Sequence, residues 1–255
     1  MAEQRVLVVD FASDARAVPC GRGVVMALPD GADVEIVRGT TDTAWADEAV
    51  ARSTHVVLSG CDIPVPRDED WFAPACREIK KIVDRGMPVL GVCFGHQIIV
   101  QALGDWDMVR RAAAPEYGIV RMRHLPAAAG DPLMAALPAG DPGLYMLHMD
   151  EVVPERAVPA LGLEVLAETE RCAVHVYRLT GRPVWGIQGH PEIDPETMKL
   201  ALTRHPATGD ESASGLAAIS RDVDAHPSCR RPELFDAFLD VRGEGRQPRA
   251  AMAAR

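Results

Sequence analysis

Short apolar runs alternate with amphipathic segments through the first part of the chain. Arg5 to Asp10, Asp33 to Val37, His55 to Gly60 and Pro88 to Val92 are all of strand length and rich in Val, Leu and Ile. Runs of this kind, bounded by turn residues, predict strands buried on both faces. Asp70 to Arg85 carries apolar residues at 71, 72, 75, 79, 82 and 83, close to the helical period. Ile98 to Leu103 gives the apolar face of another helix directly after the fourth strand. Strands alternating with helices predict an α/β fold: a doubly wound, mostly parallel sheet with helices on both faces. In such sheets a site forms outside the carboxyl ends of the strands, where Gly60 and Cys93 both fall.

The pattern changes between residues 105 and 180. Short alternating runs at 117–123, 163–168 and 172–179 are separated by Pro, Gly and Ala clusters. They predict a small antiparallel extension or edge hairpins. Residues 126–143 predict a loop with one short helix. Asp194-Pro195-Glu196 marks a helix start, with Asp194 as N-cap and Pro195 in the first position. Residues 207–215 read as a polar linker. Leu216 to Val223 and Pro232 to Val241 predict two helices, the second with Leu234, Phe235, Phe238 and Leu239 on one face. These helices are expected to pack on the parent domain rather than form a lid or a dimer contact. Residues 242–255, rich in Gly, Arg and Ala, are expected to be mobile.

Composition narrows the function. The 255 residues are 47 % hydrophobic, enough for a full core. Thirty-seven acidic against 27 basic side chains give a net charge of −10, a poor match for nucleic acid. No apolar stretch approaches the length of a membrane helix, so no membrane partner is expected. Six cysteines at 20, 61, 76, 93, 172 and 229 lack C-x-x-C spacing and an accompanying histidine cluster, which speaks against zinc. Scattered cysteines point to a reducing compartment, and residues 1–10 run into a strand rather than a signal peptide. A cytoplasmic location is expected.

Two segments carry candidate chemistry. In Gly91-Val92-Cys93-Phe94-Gly95-His96-Gln97 a cysteine stands between strand and helix, with glycine two positions to either side. This is the pattern of a nucleophile elbow. The sharp turn crowds side chains, and glycine has no Cβ to clash. It would place the Cys93 sulfur at a helix N-terminus, where the dipole favours thiolate. The plain alternative is a buried structural cysteine. The second segment, Pro183 to Glu192, is an apolar run ending in Gly-His-Pro-Glu. His190 can act as base toward Cys93, and Glu192 can orient the imidazole and stabilise its charge. Pro191 stiffens the link between them. A histidine and a glutamate alone would read as a surface pair; two such segments, each at a strand end, point to one shared site.

With these residues the chain resembles the class I glutamine amidotransferases, a family with a Cys-His-Glu triad on an α/β fold. The matching segments are Gly91 to Gln97 and Gln188-Gly189-His190-Pro191-Glu192. Leu58-Ser59-Gly60 resembles the family's oxyanion-hole loop, and His148-Met149-Asp150-Glu151-Val152 its His-x-Asp-x-Val segment. The resemblance covers roughly residues 5 to 200. It implies a flavodoxin-like amidotransferase domain over residues 1–205, with 206–255 as a C-terminal helical extension and mobile tail.

The resemblance also implies a reaction. Cys93 would attack the γ-carboxamide of glutamine, or of another γ-glutamyl amide, and form a thioester. His190 would protonate the leaving nitrogen and then activate water. Backbone N–H groups near Gly60 and at Phe94 would stabilise the oxyanion. Gln97 would contact the amino-acid end of the substrate, against the plainer reading of a helix-surface glutamine. His148 and Asp150 would lie near the site, against a loop capping pair. His96 is expected to pack or hydrogen-bond, and Glu116-Tyr117-Gly118 to serve structure. No cofactor and no metal are implied. The leading function is delivery of ammonia or an amine, from glutamine or a substituted glutamine, to a separate biosynthetic synthase. About 50 residues follow the match, too few for a synthase domain. The motifs are equally similar to the γ-glutamyl peptidase branch, in which water is the only acceptor. A non-catalytic regulatory module is the remaining alternative.

Overall fold

The computed structural model describes residues 4–13, 20–41, 45–61, 69–137, 139, 143–204 and 213–243. The expected tail at 242–255 lies mostly outside these residues, as do parts of the 126–143 loop and of the 207–215 linker. The parallel core consists of β1 (Arg5–Asp10), β2 (Asp33–Arg38), β3 (His55–Leu58) and β4 (Val89–Val92), close to the predicted bounds. Two helices that the apolar pattern did not predict, α1 (Cys20–Ala27) and α2 (Trp45–Arg52), connect the first three strands. The predicted helix after β3 is α3 (Phe72–Asp84), and α4 (Phe94–Leu103) follows β4.

The second half holds β5 (Val109–Val120), β6 (Arg123–His124), β7 (Leu144–Val152), α5 (Pro154–Leu161), β8 (Leu163–Glu168), β9 (Val176–Leu179) and β10 (Val184–Ile187). Eight strands form one sheet in the order β2-β1-β3-β4-β10-β9-β8-β6. The first five are parallel, and β9, β8 and β6 continue the sheet antiparallel. β5 and β7 pair separately as a two-stranded antiparallel arm. The antiparallel extension therefore exists in two pieces. The segment containing His148 and Asp150 is a strand of the arm, not a capping loop. Within 126–143 the described residues hold two 3-10 turns, Pro126–Ala128 and Met134–Ala136, where one short helix was expected.

Burial on both faces follows from the alternation within each strand. Leu7 and Val9 of β1 point to the side covered by α2, α3 and α4; Val6 and Val8 point to the side covered by α1. On that second side lies α8 (Glu233–Asp240), which buries Leu234, Phe235, Phe238 and Leu239 against the sheet. Gln4 Nε2 donates to Leu239 O at 2.7 Å. The predicted C-terminal helix thus packs on the parent domain. α6 (Pro195–Arg204) begins as its sequence suggests, with Asp194 Oδ1 accepting the Thr197 N–H at 2.7 Å. α7 (Ala213–Ala225) is longer than predicted, because Ala213 to Gly215 belong to the helix rather than to the linker. It packs with α6 against the arm. Among the described residues, no helix is long and apolar enough to cross a membrane.

The parallel register sets Gly91 of β4 beside Gly186 of β10, and Val92 beside Ile187. The next residues, Cys93 and Gln188, therefore leave the sheet side by side. The turn after β4 has no room for side chains. A Cβ on Gly91 would collide with Gly95 O, and one on Gly95 with Leu58 O. Gly95→Ala should therefore lower the unfolding free energy by about 1–3 kcal/mol. Urea unfolding checks this; a midpoint equal to the parent's would mean that β3 and α4 are not in tight contact.

Candidate active site

The chain passes from β4 to α4 through one residue. Cys93 adopts φ 52° and ψ −103°, the one positive φ at a non-glycine position among the described residues. Such a conformation costs about 1–3 kcal/mol and persists only where the surroundings enforce it. Here the Cys93 N–H donates to Ile187 O at 2.8 Å, and the Gly95 N–H donates to Ser59 O at 3.0 Å. Neighbouring strands on both sides thus pin the turn. The Phe94 ring seats it from below, packed against Phe11, Trp71 and Phe72.

His190 and Glu192 follow β10 and reach the same place. His190 Nδ1 lies 2.8 Å from Glu192 Oε1, and the imidazole also hydrogen-bonds Cys93. Cys93, His190 and Glu192 are 6 %, 7 % and 1 % exposed, so these groups interact with little screening by water. Burial works to lower the His190 pKa. The Glu192 charge, the Cys93 sulfur and hydrogen bonds to both outweigh it and hold the imidazole well above the usual histidine value. The site favours an imidazolium.

Gly60 closes the other side. A Cβ placed on it would lie 3.3 Å from His190 Cε1 and 3.7 Å from Cys93 Cβ. Gln97 is buried in α4, not on a helix surface, and its Nε2 donates to Asp150 O at 2.9 Å and Gln188 Oε1 at 3.0 Å. Gln188 Nε2 in turn reaches Cys93 Sγ at 3.7 Å. The arm contributes backbone: Leu147 O lies 3.9 Å from Cys93 Sγ, and Tyr145 O accepts the His190 N–H at 2.8 Å. The structure therefore brings Cys93, His190, Glu192, Gly60, Phe94 and Gln97 together.

His148 and Asp150 act one layer away. His148 Nδ1 is 3.0 Å from Asp150 O and Nε2 is 3.1 Å from Glu116 Oε2. Two acceptors around one ring are satisfied by an imidazolium facing a carboxylate. Burial pushes the Glu116 pKa up, but hydrogen bonds from His148 and Thr169 and the His148 charge hold it below its ordinary value. Glu116, expected to serve structure, does so by tying β5 to β7 and, through Thr169, to the β8–β9 turn. Glu116, His148 and Cys172 also place ligand atoms within 4.8 Å of one another, a set that could hold a metal ion. The hydrogen bonds to His148 and Thr169 satisfy Glu116 as it stands, and burial and the Glu116 charge push the Cys172 thiol far up.

Three contributors escaped the sequence. Cys20, at the start of α1, has Sγ 3.6 Å from the position a Gly60 Cβ would take. Gln188 carried a motif position without an assigned role. Tyr145 acts through its carbonyl, which leaves no mark in side-chain chemistry.

Residues 26–207 match the class I glutamine amidotransferase family. The chain belongs to that family. It is 35 % identical over 165 residues to a separately encoded glutamine-hydrolysing GMP synthase component of Halobacterium salinarum, covering 64 % of this chain and 77 % of that one. It is 30 % identical over 220 residues to the glutamine-hydrolysing GMP synthase of Listeria innocua, covering 84 % of this chain but 36 % of that one. The chain thus spans about a third or less of the longer GMP synthases it matches. A Thermotoga maritima glutamine amidotransferase structure superposes with TM-score 0.69 at 16 % identity, covering 94 % of this chain and all of that one. At that identity the likeness concerns the fold: the class I amidotransferase architecture, with its mostly parallel sheet.

Two further histidines are buried near the site without a carboxylate partner of their own. His96 Nε2 contacts Val174 O at 2.9 Å and its ring packs on Tyr177. Burial holds His96 down to about 3 and His175 down to about 4. Unfolded, each would take a proton near pH ~6.5, so the unfolded chain binds about two more protons between that pH and about 4. The stability present above that window should fall as the pH drops through it. His190 has the opposite sign, and its contribution is lost only at higher pH. Urea unfolding at pH ~7 and ~5 checks this. His175→Leu should flatten the slope, and equal midpoints in the parent at both pH values would contradict the assignment.

Proposed function

We propose that this protein hydrolyses the side-chain amide of glutamine through Cys93 and supplies the ammonia to a separate synthase. The observation that carries the reading is the convergence of two strand ends. A cysteine held at a strained strand-to-helix turn meets an imidazole whose other nitrogen is 2.8 Å from a buried carboxylate. The Cys93 sulfur attacks the γ-carbonyl carbon. The oxyanion takes hydrogen bonds from backbone N–H groups near Gly60 and at Phe94. As the intermediate collapses, the C–N bond breaks and His190 gives its proton to the departing ammonia. A γ-glutamyl thioester remains on Cys93. His190 then takes a proton from water, which attacks the thioester and releases glutamate. Glu192 keeps the imidazole oriented and stabilises its charged form.

The buried site fits a small substrate. Gln97 has both amide hydrogens engaged by Asp150 O and Gln188 Oε1, so its part in this reading is to set the floor of the pocket and to place Gln188 against Cys93. The Halobacterium relative is named as one glutamine-hydrolysing component of a GMP synthase, which supports a synthase carried on another chain.

In this mechanism Cys93→Ala lowers glutamine hydrolysis by at least about 10⁴-fold, and His190→Ala is nearly as severe. Glu192→Gln is milder, about 10²-fold, because an amide orients the ring but does not stabilise its charge. Steady-state ammonia release from each folded variant is the measurement; substantial turnover by Cys93→Ala would overturn the mechanism. Parallel assays with glutamine and with γ-glutamyl dipeptides decide the substrate. Preference for the dipeptides, with no stimulation of glutamine turnover by a synthase, would replace ammonia supply with γ-glutamyl peptide hydrolysis.

A further inference from the structure

The segment between α7 and α8 lies beyond the residues that match the family, yet it grips the His190–Glu192 loop. The Arg231 N–H donates to Pro191 O at 2.8 Å. Arg230 Nε donates to Glu192 O at 3.2 Å, and Arg230 Nη2 donates to Met26 O in the last turn of α1. The Tyr145 hydroxyl donates to His226 O at 3.0 Å, while the carbonyl of the same tyrosine accepts the His190 N–H. The loop that carries His190 and Glu192 is thus tied to residues 226–231 at both of its ends.

The arginine fork explains why this matters for the carboxylate itself. α1 walls Glu192: a Cβ on Gly23 would sit 3.3 Å from Glu192 Cγ. The guanidinium joins that helix to the Glu192 backbone by two charge-assisted hydrogen bonds, a span suited to a planar fork and not to an ammonium. A cation is also favoured at the exposed carbonyls of a helix C-terminus. The position of Glu192 relative to α1 is therefore fixed from the backbone side by Arg230 and from the side-chain side by Gly23. We propose that Arg230, with the backbone of Arg231, is a positioning residue that holds Glu192 and His190 in register with Cys93. This rests on the catalytic roles proposed above for those three residues.

The test uses two readouts on the full chain. One is kcat and KM for glutamine hydrolysis; the other is the rate of Cys93 alkylation by iodoacetamide across pH, followed by peptide mass. Arg230→Ala should lower kcat about tenfold, since small displacements of a catalytic group carry large penalties. KM should stay within about twofold, because the loss falls on the reacting groups and not on substrate binding. Alkylation of Cys93 near neutral pH should slow about threefold or more, as a less well-placed Glu192 stabilises the imidazolium–thiolate pair less. Arg230→Lys should recover part of both, since one ammonium reaches only one of the two carbonyls. Tyr145→Phe, which removes a single hydroxyl, should move both readouts in the same direction by less and serves if Arg230→Ala does not fold. Parent-like kcat and alkylation in folded Arg230→Ala would overturn the proposal. If the parent itself does not hydrolyse glutamine, the functional reading fails, and the alkylation profiles still decide the clasp.

Discussion

The site depends on a single backbone constraint, the left-handed conformation of Cys93. A side chain is unwelcome there, so the turn exists only because its neighbours leave no other path. Ile187 of β10 takes its N–H, Ser59 after β3 takes the N–H of Gly95, and two glycines allow β3, β4 and α4 to approach within contact of one another. The central parallel strands thus act as the frame of a spring, and the thiol is what the spring presents. Much of the packing of the first hundred residues follows from this requirement: the aromatic group of Phe11, Trp71, Phe72 and Phe94 fills the space under the turn.

The arm supplies what the parallel sheet lacks. A parallel strand end offers few free carbonyls at the right height, and the arm brings three. Tyr145 O receives the His190 N–H, Leu147 O faces the thiol, and Asp150 O receives hydrogen bonds from both Gln97 and His148. What keeps the arm seated is a buried ionic contact, His148 with Glu116, joined to the main sheet by Thr169. Such a contact adds little net stability but is expensive to break on one side only, because a lone buried charge remains. It fixes where the arm can sit more than how strongly it is held.

Much of this was legible in the chain. The four parallel strands declare themselves by dense apolar runs, and the elbow by its two glycines, because burial and steric crowding act on local sequence. The Asp194 cap and the apolar face of α8 are equally local. β7 was obscured because its strand carries His148, Asp150 and Glu151, polar residues placed there for the arm's internal contacts rather than for solvent. α1 and α2 were missed because they are short and weakly patterned. Cys20 next to Gly60 and Arg230 next to Glu192 could not be read at all, since each contact joins segments far apart in sequence and leaves no periodicity behind. The carbonyl acceptors were invisible for a simpler reason: every residue has one.

The sheet face covered by α8 has a consequence for how the molecule assembles. Val6, Val8, Val57, Leu90 and Val92 form a greasy surface that only residues 234–239 finish covering, and the bond from Gln4 to Leu239 O spans 235 positions. Contacts this distant in sequence are slow to form, because a long loop must close before they return any stability. Until that helix docks, a half-built sheet shows an apolar flank to its surroundings, the kind of intermediate that self-associates or engages chaperones during synthesis.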